Sequence, residues 1–390
     1  MPDKRKSYFA LFYLENNYFF PHFISVMDEL RVNGLSFAII IPEEKSRNLE
    51  EQNKTTIAHC CEHGIEYLPL KREGLVCEFL VFGNSIQETN ITFKKTVSIF
   101  HGCWGGKNVY LRDELTQFDI RFVETDFIRE NILRAHPEKK DNTVVVGYSK
   151  LDLLLRNDDD AIRNLRKKYF FDPTKKTILY APTFYPSSIG KIPANLPKLL
   201  SNYNIIIKPH FYIYMRKKYS SELRLIQKWN QQDNVYFADL SENSLIPFMQ
   251  VADILVSDFS AAIYEFAAMR KPVIVNRFVK SRWYYKLMPN KLNKRLDLFN
   301  FDLWNVGDNA NNYQQMVSLL KENLENSNKN INQRQDLVRM VVGDVDGKVA
   351  YRIVKHLKYI YHEQKCLHRD ECRYHSSGAF EYYQRRRKVG

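Results

Sequence analysis

Two histidines, a lysine and several hydroxyls stand directly after apolar runs of strand length. His101-Gly102 follows residues 96–100, Gly147-Tyr148 follows 143–146, and Ala181-Pro182-Thr183 follows 177–180. Lys208-Pro209-His210 follows 204–207, and Ser257-Asp258-Phe259-Ser260 closes the run 254–257. An imidazole at a strand end suits general-base work, because its pKa lies near neutrality. Gly102 is expected to let the chain turn tightly there. Lys208 and His210 bring a fixed cation and an imidazole two residues apart, with Pro209 restricting the backbone between them. Such a pair suits a diphosphate and the charge that grows on a leaving group. Ser260 or Asp258 suits the N-cap of a helix over 261–269, whose free amides would attract an anion. Glu265, one turn in, is placed either to accept from ribose hydroxyls or to face solvent. Each signal also has an ordinary reading: a loop histidine on a backbone carbonyl, an exposed basic turn, a plain helix cap. What argues for function is that five polar loops share one predicted rim.

For these loops to meet, the runs before them must be neighbouring strands, since ligands in open α/β sheets bind at the carboxyl ends of strands. Strand signals occur over 8–14, 35–41, 78–82, 96–100, 120–124 and 143–146, with helical segments between most of them. In 20–31, Phe23, Val26, Met27 and Leu30 share a helix face before Asn33-Gly34 ends it. A charged linker helix over 158–169 follows. The alternation then restarts, with strands over 177–180, 204–207, 235–237, 254–257 and 273–276 and helices over 244–251 and 261–269. Repeated alternation predicts parallel sheets covered on both faces. The expected fold class is therefore α/β, with two Rossmann-like domains facing a central cleft. Residues 1–155 form the first, 156–365 the second, and 366–390 a basic C-terminal tail.

The chain has 390 residues, of which 44% are apolar. At ~100–200 residues per domain this fits two packed cores and excludes wholesale disorder. Residues 1–7 are charged, and the apolar run after them is broken by Glu15, Asn16 and Asn17, so no signal peptide is read. No apolar stretch reaches the ~18 residues of a spanning helix. The expected location is the cytoplasm, with peripheral binding at the inner face of the membrane. The six cysteines fit a reducing compartment. Cys366, His368, Cys372 and His375 match no zinc spacing, and neither Asp158 with Asp160 nor Asp344 with Asp346 makes a convincing metal site. No bound metal is assigned, and no tightly bound cofactor is expected; divalent-metal dependence is left open.

The net charge of +13 calls for an anionic partner or serves solubility. One basic cluster holds Lys280, Arg282, Lys286, Lys291, Lys294 and Arg295, interleaved with Trp283, Tyr284 and Tyr285. It suits an anionic membrane surface or an anionic acceptor. A second run, Arg385, Arg386, Arg387 and Lys388, closes the chain.

Taken in order, these motifs resemble the CDP-glycerol glycerophosphotransferases, the teichoic-acid primase and polymerase family. The matching pieces are Phe100-His101-Gly102, Val146-Gly147-Tyr148-Ser149-Lys150-Leu151-Asp152, and Ile178-Leu179-Tyr180-Ala181-Pro182-Thr183. They continue with Ile207-Lys208-Pro209-His210, the segment Ala252 to Ser260, and Gly343-Asp344-Val345-Asp346-Gly347-Lys348 with Arg352. The resemblance covers roughly residues 95–355. It implies a GT-B fold, with an acceptor side in the first domain and a nucleotide-donor side in the second. It further implies that an acceptor hydroxyl attacks the β-phosphate of CDP-glycerol or CDP-ribitol and releases CMP. By the same resemblance His101 is the base, while His210 and Lys208 hold the donor diphosphate. Gly102, Gly147, Tyr148, Thr183, Ser257, Asp258, Ser260 and Glu265 complete the donor site. The acceptor expected is an anionic or lipid-linked surface polysaccharide. Two places depart from the family pattern. After the Ala-Pro-Thr motif, where the family usually carries tryptophan and arginine, this chain has Phe184 and Tyr185; and Lys107 lies one residue further from the His-Gly pair.

Three other readings stand beside this one. A nucleotide-sugar glycosyltransferase on the same fold would transfer a sugar. A UDP-sugar 2-epimerase shares the fold but gives no reason for the basic surface. A non-catalytic binder of nucleic acid or another polyanion would explain the charge and leave the five loops idle; no nucleic-acid partner is expected.

Overall fold

The apolar runs form strands because they are rich in Val, Ile, Phe and Tyr and are bounded by turn residues. The computed structural model describes residues 6–42, 47–104, 108–156, 159–169, 172–242, 244–279 and 301–367. In the first half the strands are β1 Lys6–Tyr13, β2 Phe37–Ile41, β3 Tyr67–Pro69, β4 Leu75–Phe82, β5 Thr92–Ile99, β6 Ile120–Val123 and β7 Thr143–Val145. They make one sheet in the order β3-β2-β1-β4-β5-β6-β7. In the second half, β8 Thr177–Ala181, β9 Asn204–Ile207, β10 Val235–Phe237, β11 Ile254–Ser257, β12 Val273–Asn276 and β13 Asp308–Ala310 form a sheet ordered β10-β9-β8-β11-β12-β13. Every pairing among them is parallel. Helices cover both faces, so the central strands are dry: Ala10, Leu11 and Phe12 of β1 are 0% exposed. The α/β class and the two Rossmann-like units stand as expected.

The strands the sequence reading lacked, β3 and β13, are three residues long and lie at sheet edges. Their sequences, Tyr-Leu-Pro and Asp-Asn-Ala, carry no run for periodicity to detect. In each sheet the winding reverses beside the first strand, between β1 and β4 and between β8 and β11. Ligand crevices of doubly wound sheets open at such points.

The helix Val349–Leu367 was assigned with the second domain on the sequence, but it packs on the first. Val349, Ala350, Ile353, Val354 and Leu357 are buried in one cluster with Phe9, Phe23 and Met27. Their spacing gives the helix one apolar face, and the first sheet's helical layer is where that face is buried. Among the described residues, no helix is long and apolar enough to cross a membrane.

Candidate active site

His101 follows β5. Its backbone N–H and its ring converge on one carbonyl, that of Gly83 at the end of β4: the amide donates at 3.0 Å and Nδ1 lies at 2.6 Å. A carbonyl only accepts, so Nδ1 carries the proton and the lone pair is on Nε2. Phe19 stacks on the imidazole with centroids 4.4 Å apart, and Tyr18 meets it edge-on at 5.4 Å. Burial drives the His101 pKa down to about 4; the Gly83 carbonyl opposes this, and Arg112 adds to it. The group is thus a neutral base at physiological pH. Gly83 has to be glycine for packing reasons: a Cβ there would lie 2.7 Å from Cδ2 of Phe19.

His210 follows β9 on the opposite wall. Here the backbone N–H of Tyr212 donates to Nδ1 at 3.3 Å. An amide only donates, so in the neutral ring the proton is on Nε2. Phe184, Phe211 and Tyr212 surround the ring at centroid distances of 4.6, 4.6 and 5.0 Å. Lys208 is 8% exposed; it donates to the Asp239 carbonyl at 3.2 Å and lies 5.2 Å from the centre of the Tyr214 ring. Burial lowers its pKa to about 8, against the pull of Glu242 and Asp239. The walls touch where Tyr18 stacks on Phe211 at 5.6 Å, so a continuous run of rings leads from His101 to His210.

Most of the other residues assigned to the donor make hydrogen bonds to the framework. Asp258 is 0% exposed, and its carboxylate accepts from the backbone N–H of Thr183 at 3.0 Å and of Ser188 at 3.3 Å. Burial raises its pKa to about 6 against those hydrogen bonds. Ser257 donates to the Ala181 carbonyl, and Thr183 donates to the Pro186 carbonyl, each at 2.7 Å. Ser260 accepts from the Ala262 N–H at 3.2 Å, and the helix after it is Ala262–Ala268. These bonds tie the loops after β8 and β11 together. A buried carboxylate needs such donors, and the amides of Thr183 and Ser188 supply them to Asp258. Gly102 has neither a positive φ nor a close neighbour, so the bend at His101 does not depend on its being glycine.

Glu265 does not face solvent. Its Oε1 accepts from the Tyr148 hydroxyl at 2.7 Å and its Oε2 from the Lys150 ammonium at 2.6 Å, joining the two domains. Burial pushes the Tyr148 pKa up, and the Glu265 carboxylate adds to the shift. Gly147 sits at φ +101°, and a Cβ there would lie 2.8 Å from Cγ2 of Val349. Asp152 accepts from the N–H groups of Val349 and Ala350 at 3.2 and 2.7 Å, while Arg352 returns 2.6 Å to the Val146 carbonyl. The two motifs that end at Asp152 and Arg352 therefore interlock to bring the C-terminal helix home. Asp346 belongs to that clasp, paired with Arg352 at 2.7 Å.

The loop after β1 was missed altogether. Its residues Tyr18 and Phe19 pack against His101, directly after the Glu15, Asn16 and Asn17 that interrupt the apolar run. Among the described residues no group of three or more His, Cys, Asp or Glu could hold a metal ion. The cluster Lys280, Arg282, Trp283, Lys286, Lys291, Lys294 and Arg295, with Lys107, Asp158, His368, Cys372, His375 and the run 385–388, lies outside the described residues, and so does the Cys366 side chain.

Two Rossmann-like domains, clasped by the returning C-terminal helix and facing each other across a cleft with a histidine on either wall, define the GT-B class. The wall teichoic acid polymerase TagF has the same fold: its structure superposes with a TM-score of 0.60 over 91% of this chain and 89% of that one, at 16% identity. The family described as CDP-Glycerol:Poly(glycerophosphate) glycerophosphotransferase matches residues 84–359, and the chain belongs to that family. The teichoic acid poly(ribitol-phosphate) polymerase of Bacillus spizizenii is 23% identical over 259 residues, 62% of this chain and 38% of that protein. The teichoic acid glycerol-phosphate transferase of Staphylococcus aureus is 22% identical over 299 residues, 73% of this chain and 67% of that one. The chain thus spans well under half the length of the first of these relatives.

Proposed function

We propose that the protein transfers glycerol phosphate or ribitol phosphate from a CDP-alditol to a hydroxyl of a teichoic-acid-like acceptor. The observation that carries this is the pair of cleft histidines with opposite tautomers: a lone pair on Nε2 of His101 and a proton on Nε2 of His210. In the transfer, the acceptor oxygen bonds to the phosphorus that bears the alditol. Its proton passes to Nε2 of His101. The bond from that phosphorus to the bridging oxygen breaks, and CMP departs with the electron pair. His210 and Lys208 face the charge that grows on the diphosphate, and catalysis is mainly positioning and charge stabilisation. Family membership and the teichoic-acid relatives support the substrate class, as does a TagF structure soaked with CDPG.

Incubation with CDP-glycerol, CDP-ribitol and common UDP- and CMP-sugars, with the released nucleotide identified, tests this reading. CMP from a CDP-alditol is expected. UDP from a UDP-sugar, with no release from either CDP-alditol, would make the protein a sugar transferase instead. No resident cofactor takes part in this scheme. Lys208 and His210 meet the diphosphate charge, and turnover with and without EDTA decides whether a divalent metal is needed as well. The acceptor is lipid-linked and the protein works in the cytoplasm, peripherally on the inner membrane face. The cations and aromatic residues of 280–295 make that contact, each cation adding ~1 kcal/mol at an anionic surface. Sedimentation with anionic vesicles at low salt, lost on changing Lys286, Lys291, Lys294 and Arg295 to Ser, is the check.

A further inference from the structure

The two histidines stand on different domains: His101 follows β5 of the first sheet and His210 follows β9 of the second. Their separation is therefore set by contacts between the domains, and neither sheet fixes it alone. The hydrogen-bonded seam that Glu265 makes with Tyr148 and Lys150 lies at the helix after β11. Trp104 adds to it, edge-on to Tyr264 with centroids 5.9 Å apart. In the second sheet β8 stands between β11 and β9, so the loop that carries His210 is two strands from the seam, ~10 Å at the usual strand spacing. A pivot about the seam moves that loop against the first wall. About 6° of rotation over ~10 Å shifts a group by about 1 Å, and a misplacement of that size can cost ~10²-fold in rate.

A contact on the His210 side of the cleft opposes such a pivot. Tyr18 lies in the short turn Asn17–Phe19 after β1, and Phe211 lies in the loop after β9. Their rings stack across the cleft with centroids 5.6 Å apart and planes at 29°. Each ring also touches the histidine of its own wall. Tyr18 meets His101 edge-on at 5.4 Å, and Phe211 stacks on His210 at 4.6 Å. Aromatic pairs at these separations attract beyond the area they bury. Both rings are presented by tight backbone. The Phe19 N–H donates to the Asn16 carbonyl at 3.0 Å, and the N–H groups of Ile213 and Tyr214 donate to the carbonyls of His210 and Phe211 at 2.9 and 3.1 Å.

We infer that Tyr18 and Phe211 are positioning residues whose stack fixes the span between His101 and His210, so that a donor held on the second wall meets the base on the first. This rests on the transfer proposed above. The test uses the full chain, CDP-glycerol and a soluble acceptor ending in a single glycerol phosphate. Tyr18→Ala is expected to lower kcat by ~10–10²-fold and to leave CDP-glycerol affinity unchanged, because Lys208 and His210 sit on the other wall. Phe211→Ala should lower kcat to a similar extent. The double variant should be no slower than the slower single one, since each single change already removes the same contact. Tyr18→Phe keeps the ring and should restore most of the lost kcat. Wild-type kcat in Tyr18→Ala overturns the inference. So do single effects that multiply in the double variant, because the rings would then act separately. Tyr18→Phe as slow as Tyr18→Ala overturns it as well, by making the hydroxyl the active group. A loss of activity that merely follows a fall in melting temperature would mean that the stack serves the fold alone. Failure of the wild-type protein to bind or turn over any CDP-alditol would instead overturn the transfer reading, whatever the variants do.

Discussion

The two walls of the cleft handle a histidine in opposite ways. On the first wall a backbone carbonyl, that of Gly83, accepts a hydrogen bond from Nδ1–H of His101; on the second a backbone amide, that of Tyr212, donates one to Nδ1 of His210. Both rings are flanked by aromatic side chains, so packing does not separate them. The difference lies in the polarity of the single backbone group at Nδ1, which decides whether Nε2 can accept or donate. A base and an electrostatic stabiliser can thus be made from the same residue type a few rings apart.

The largest effect should come from His101→Ala: turnover falls ~10²–10⁴-fold while CDP-alditol affinity is retained. Near-normal turnover in a steady-state assay would remove the base from the first wall and end the comparison. The pH dependence sharpens it. With the His101 pKa lowered to about 4 and that of Lys208 to about 8, kcat/KM should stay level from about pH 7 to about 5 on this account, falling on the acid side only below that. A limb near 6.5, the ordinary histidine value, would contradict the burial argument. The same shift predicts acid sensitivity of the fold. Between about 6.5 and 4 the unfolded chain binds the proton and the folded one does not, so this histidine's contribution is complete above that window and lost as the pH falls through it.

Next in size is the seam between the walls. Lys150→Met leaves Glu265 buried with its ammonium partner gone, a loss of about 3–5 kcal/mol in stability, measurable by denaturant melts. A change near zero would mean that the pair does not hold the domains together.

His210→Ala should weaken donor binding and turnover together, by ~10²–10³-fold in rate for a lost transition-state donor. His210→Gln, which keeps an N–H at the far end of the side chain, should recover about tenfold of that, roughly one hydrogen bond. His101→Gln should recover nothing, because an amide is no base. Equal behaviour of the two glutamine variants would break the contrast.

The smallest effect expected is for Gly83→Ala. The new methyl meets Phe19 at 2.7 Å, so the ring must move off His101. A fall in turnover of about tenfold is expected for a base left slightly misplaced, together with a kcat/KM limb shifted toward 6.5 as the imidazole gains solvent. An unchanged pH profile would show that Phe19 does not set the state of His101.

The sequence by itself determined the strands other than β3 and β13, the two-domain α/β class and the rim on which His101, Lys208 and His210 stand. Those features are local: strand runs, turn residues and the loop after each strand are decided within about ten residues. It did not determine which rim residues face the cleft, because their hydrogen-bond partners are remote. Asp258 meets Thr183 across 75 residues, Tyr148 meets Glu265 across 117 and Asp152 meets Ala350 across 198. Strand order is equally invisible in a linear pattern, so the packing of Tyr18 and Phe19, after β1, on His101, after β5, emerged only once β4 was seen between those two strands. The tautomers of the two histidines belong to the same class of fact. Each depends on whether folding delivers a carbonyl or an amide to within hydrogen-bonding distance of Nδ1, and for His101 only the packed sheet decides that.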